Sequence, residues 1–129
     1  MHTSHFHPST FTNIIRTVVV LVAGASLATT GSAMSLREFR TLEKSNNQGI
    51  NYANYYLVGV MEGVLESHAH DTRNGAAPTI CLKGRRLEPR IARSLYETEL
   101  KRNEGTYEAD MPVQLVMVNA LTTVYTCSD

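Results

Sequence analysis

The chain is poor in most of the features that announce a function. It has no Trp, and its few aromatic residues (7%) are mostly Tyr. Neither charge dominates: 12 Lys and Arg stand against 12 Asp and Glu. A nucleic-acid protein normally carries a basic excess to meet phosphate, so composition gives no case for one. With 129 residues the chain has room for one domain. Only two cysteines are present, too few for a thiolate zinc site, and they are not spaced as a CxxC redox pair. The sequence has no nucleophile elbow, phosphate-cradling glycine loop or H-E-x-x-H pair. The expectation is therefore a protein that is not an enzyme and needs no cofactor.

What is present begins with a leader. Residues 1–16 are polar and end in Arg16; Thr17–Ala28 is an apolar and small-residue run of about 12 positions; Gly31-Ser32-Ala33 offers small residues where a signal peptidase reads. A membrane-spanning helix needs roughly 20 apolar residues. The expectation is a cleaved signal peptide over residues 1–33, export to the periplasm, and no stable membrane anchor after cleavage. Removing 33 of 129 residues leaves 96, with 11 basic and 12 acidic side chains. So short a chain buries only about 60–65% of its extended surface, and its core needs help.

Cys81 and Cys127 supply that help if they pair. Both lie in the exported part, where conditions are oxidising. A disulfide is the expected reading, and a reactive thiol the competing one.

The exported part reads as a small four-helix bundle, all-α, over residues 34–129. Ser35 and Glu38 form a capping-box pattern ahead of Leu36, Phe39 and Leu42 at helical spacing. From Asn51 to about His70 the chain is apolar nearly all round, which suits a helix in the middle of a bundle. A strand competes there, since Tyr and Val favour strands, but length and spacing favour helix. Gly59 and Gly63 weaken a helix by about 1 kcal/mol each relative to Ala. With Tyr52 and Tyr56 they are the expected helix-packing residues, the glycines admitting a close neighbour. A third helix is expected over about Leu87–Arg102, with Pro89 in its first turn. A fourth is expected from about Met111, with Asp110 as cap and Val113, Val116, Met117, Ala120, Leu121 and Val124 as its apolar stripe. Helices three and four form an antiparallel hairpin in this reading, and the Cys81–Cys127 bridge closes its open end.

Three groups invite functional readings. His68 and His70 point apart on a helix and read as a solvated terminus rather than a metal site. Lys83, Arg85, Arg86, Arg90 and Arg93 form a basic cluster at a helix start, where the dipole disfavours it. They are the candidate partner contacts, with a solvated face as the plainer reading. Tyr52, Tyr55 and Tyr56 are core or core-rim residues, or a binding platform, since Tyr is common at interfaces.

The segment Tyr55-Tyr56-Leu57-Val58-Gly59-Val60-Met61-Glu62-Gly63, the later Cys81, and Ala120-Leu121-Thr122-Thr123-Val124-Tyr125-Thr126-Cys127 carry a resemblance. They resemble the Rap/Tai immunity family over about residues 36–127. Thr126 stands where the family often has Pro before the last Cys. The resemblance implies a periplasmic protein whose partner is a cognate peptidoglycan amidase toxin delivered by type VI secretion. It implies no individual contact residue. The helical design with one disulfide is also similar to the HdeA-type acid chaperones, so a chaperone or a secretion accessory is the alternative. A homodimer is compatible with either.

Overall fold

A computed structural model of the protein describes residues 33–127. The leader expected over residues 1–33 lies outside these residues, apart from Ala33. Four helices follow one another: α1 Leu36–Ser45, α2 Gly49–Arg73, α3 Ile91–Arg102 and α4 Val113–Val124. The described residues contain no β-strand, only an isolated bridge between Ser35 and Pro112.

The start of α1 is built as its sequence indicates. Glu38 N–H donates to Ser35 Oγ at 3.3 Å, and Ser35 N–H donates to Glu38 Oε2 at 2.7 Å. Accepting from Ser35 also holds the Glu38 carboxyl below its ordinary range. Two further amides of the first turn, Leu36 and Arg37, donate to the carbonyls of Met111 and Ala109, each at 2.9 Å. Val113 N–H donates to Met34 O at 3.0 Å in return. The orphan amides of α1 and α4 are thus satisfied by each other's entry segments. Asp110 is not the cap of α4. Pro112 holds that position without a side-chain bond, and Asp110 instead pairs with Arg37 on the surface.

The turn from α1 to α2 is tight. Asn46 Oδ1 accepts from Gln48 and Gly49 N–H, both at 2.9 Å, which starts α2 at Gly49. A Cβ on Gly49 would overlap the Leu42 carbonyl and the Ser45 hydroxyl. Backbone cannot yield as a side chain can, so Gly49→Ala is expected to lose about 1–3 kcal/mol, measured by urea unfolding.

Two boundaries differ from expectation. Helix α2 runs on through His70 to Arg73, a polar end that apolar periodicity does not reveal. Helix α3 starts at Ile91 rather than Leu87; Pro89 lies in the preceding turn, its carbonyl accepting from Ala92 N–H at 3.2 Å.

The core forms where the four apolar stripes meet. Helix α2 contributes Ala53, Leu57, Val60 and Met61; α1 contributes Leu36 and Phe39; α3 Leu95 and Tyr96; α4 Val113, Val116, Met117 and Leu121. Phe39 sits at the centre, its ring 5.1 Å edge-on from Tyr96 and 6.1 Å from Tyr56. Burial pushes the Tyr96 phenol up to about 12, with the Glu43 carboxylate adding to it. An unfolded phenol ionises near pH 10, so this contribution is intact below pH 10 and is lost as pH rises from 10 to about 12. It amounts to about 2–3 kcal/mol. Alkaline unfolding followed by circular dichroism should shift to higher pH in Tyr96→Phe, which cannot ionise.

Cys81 and Cys127 are bonded, with Cα atoms 5.0 Å apart. Such a bond is compatible with an oxidising compartment. Cys81 lies ten residues before α3, so the bridge ties the α2–α3 connection, rather than the start of α3 itself, to the end of α4. The Cys81 N–H strengthens the junction by donating to Tyr125 O at 2.7 Å. No helix among the described residues is long and apolar enough to cross a membrane.

Candidate functional site

Helix α2 does not sit in the middle of the bundle with neighbours all round. Its buried stripe is Ala53–Leu57–Val60–Met61, and the stripe on which Tyr52, Tyr55, Gly59 and Gly63 follow at helical spacing faces outward. Tyr52 is 56% exposed and Tyr55 76%. Tyr56 alone of the three tyrosines turns inward, its ring tilted against Phe39 and its hydroxyl accepting from Gln114 Nε2 at 3.0 Å.

The close helix contact expected at the two glycines is absent. A methyl group added to Gly59 or Gly63 would meet no atom of another element within 4 Å. Instead both line a cleft of about 690 Å³. Helix α2 supplies most of it, from Tyr56 through Val60 and Val64 to Ser67, His68 and Asp71. Gln114 and Val118 of α4 close one side, and Thr79 and Ile80 of the α2–α3 connection close the other. Its exposed surface is mainly apolar, with Ser67, His68, Asp71, Thr79 and Gln114 as its polar groups, the usual make-up of a binding cleft.

His68 is not a solvated terminus. Its Nε2 accepts the backbone N–H of Thr79 at 2.9 Å and of Ile80 at 3.1 Å, fastening the connection against α2. His70 faces elsewhere, bonded to Asn74 and beside Asp71, so the two histidines do not share a site. Their spacing announces that divergence, but nothing in the sequence marks Thr79 and Ile80 as partners.

The basic cluster divides. Arg93 is half-buried and bonded inside the fold, to Glu43 at 2.8 Å, to Glu97 at 3.0 Å and to Asn54. Burial alone would weaken its hold on a proton; the Glu43 and Glu97 carboxylates outweigh that and raise its pKa above the ordinary guanidinium value. Arg93 is therefore a structural link between α1, α2 and α3 rather than an open partner contact. Arg90 pairs with Glu88, and the Arg85 guanidinium stands 6.0 Å from the Tyr125 ring centroid. Lys83 and Arg86 remain exposed on the α2–α3 connection. Lys83 lines a second cleft of about 520 Å³ with Glu62, Glu66, His68 and Ile80.

One buried acid also lies outside the cleft. Glu99, only 3% exposed, accepts from Arg102, Asn103 and the Tyr107 hydroxyl. Every partner lies within eight residues along the chain, so this network closes the α3–α4 turn.

Compared with family models, with curated proteins and with solved structures, the chain finds no match in any of the three.

The geometry supports an opposite pair of substitutions. Gly59→Ala and Gly63→Ala should each stabilise the isolated protein by about 1 kcal/mol, because the methyl groups enter open space. Thermal melts of the two variants would show it as a rise of several degrees.

Proposed function

We propose that this is an exported, non-catalytic binding protein that blocks a peptidoglycan amidase toxin in the periplasm, with the open face of α2 as its docking surface. The observation that carries this reading is the pair Gly59 and Gly63. Each weakens α2, and neither admits a neighbour within the fold. A partner pressed against the helix backbone accounts for what the isolated chain does not. Tyr52 and Tyr55 precede the glycines on the same stripe, and exposed Tyr supplies large contact area at low conformational cost. The amidase as partner comes from the resemblance to the Rap/Tai immunity family, carried by the same Tyr55–Gly63 segment. The leader-like N-terminus and the disulfide suit the compartment in which such a toxin acts.

The basic cluster plays a smaller part in this reading than its sequence promised. Arg93 is committed inside the fold, which leaves Lys83, Arg85, Arg86 and Arg90 as the exposed cations of the cluster, with Lys83 at the neighbouring cleft.

The test is titration of a peptidoglycan amidase with the oxidised protein, reading muropeptide hydrolysis and complex formation. Inhibition is expected, and Tyr55→Ala should weaken it by at least about tenfold while leaving the melt unchanged, as for an interfacial aromatic anchor. Full amidase activity and no complex in the presence of excess protein would overturn the proposal.

A further inference from the structure

His68 accepts two consecutive backbone amides, and this arrangement has a strict chemical requirement. An imidazole nitrogen has one in-plane lone pair and accepts only when it carries no proton. The Thr79 and Ile80 N–H groups both point at Nε2, at 2.9 and 3.1 Å, so the ring proton belongs on Nδ1. Once His68 takes up a second proton, Nε2 becomes a donor facing two donors. Both bonds are then lost, and the ring and the connection repel.

His68 and Ile80 also line both the 690 Å³ cleft and its 520 Å³ neighbour, so together they form the partition between the two. The chain around them is anchored on either side. Ala76 N–H is tied to Asp71 O at 3.0 Å, and Cys81 is held to the segment that follows α4 by the disulfide to Cys127 and by its bond to Tyr125. Release at His68 therefore frees only the few residues between Ala76 and Cys81.

We propose that His68 is a proton-operated latch: its protonation releases Thr79 and Ile80, removes the partition between the two clefts and reshapes the docking face while the stapled bundle stays folded. The titratable groups facing the latch are Asp71, Glu62 and Glu66 on α2 and Lys83 on the connection; the wall from α4 is Gln114 and Val118, which carry no charge. The latch itself stands on the geometry of the isolated chain. Its consequence, weaker partner binding once His68 is protonated, rests on the docking surface proposed above.

Nuclear magnetic resonance of the oxidised protein tests it without any partner. At pH 7.5 His68 should carry its proton on Nδ1, with the Thr79 and Ile80 amides protected from exchange. Between pH 7.5 and 4.5 those two amides should shift with the His68 titration. Their protection, relative to unstructured chain at the same pH, should fall by about tenfold or more while the helix-core amides keep theirs. His68→Gln, whose side-chain oxygen accepts without titrating, should keep both amides engaged and abolish the step, and His70→Gln should leave the step in place. A proton on His68 Nε2 at pH 7.5 would overturn the latch, as would unchanged Thr79 and Ile80 protection through the His68 titration. A clear step accompanied by amidase inhibition that does not vary with pH would leave the latch standing and remove the docking reading from this cleft.

Discussion

Cys81→Ser/Cys127→Ser is expected to lose about 4 kcal/mol of stability, the loop-closure entropy released when a 46-residue separation is no longer cross-linked. For a domain of this size that corresponds to a fall in Tm of about 15–30 °C. Small domains have total stabilities on the order of 5–15 kcal/mol, so the double variant should sit near the edge of folding at 37 °C. The bridge also fixes the otherwise irregular α2–α3 connection at a point where its backbone bonds to Tyr125. Reduction of the native protein should reproduce the effect of the serines in a calorimetric scan. A fall of less than 5 °C would mean that the helices alone hold the connection in place.

Phe39→Ala is the second large effect, expected at about 3–5 kcal/mol. Phe39 is fully buried, and its ring meets Tyr96 of α3 and Tyr56 of α2. Deleting it opens a cavity lined by two other aromatic rings, which are too rigid to collapse into it. Helix α1 has only Phe39 and Leu36 fully buried, so one of its two core side chains is lost. Urea unfolding should show the loss as a lower midpoint with an unchanged slope, and Phe39→Leu should recover most of it. A loss below 1 kcal/mol would show that α1 is held by its backbone bonds to residues 109–111 rather than by its core side chains.

Much of the architecture is readable from the chain because it rests on local signals. The capping box at Ser35 and Glu38, the apolar stripe from Val113 to Leu121, and the two cysteines all report structure within a few residues or through a pairing with no rival. What escapes reading depends on long-range placement. Arg93 looks like a free cation because, apart from Glu97 one turn on, its partners Glu43 and Asn54 are 50 and 39 residues away. His68 looks like a solvated helix end because the amides that occupy it belong to a loop whose path nothing in the sequence dictates. The Tyr52–Gly63 stripe is apolar and therefore reads as core, yet the bundle has only enough neighbours to cover the other face of α2. Hydrophobic periodicity finds a stripe that must be buried. It does not say whether the chain itself or a partner buries it.

The docking surface on α2 is the central claim, and one double variant tests it most directly. Gly59→Ala/Gly63→Ala fills the open stripe with two methyl groups that the isolated fold accepts without a clash. Measured side by side, its Tm should rise while its inhibition of the amidase falls by tenfold or more. A variant that is more stable and inhibits as well as the parent protein would contradict the account, because the partner would then not approach α2 at its glycines.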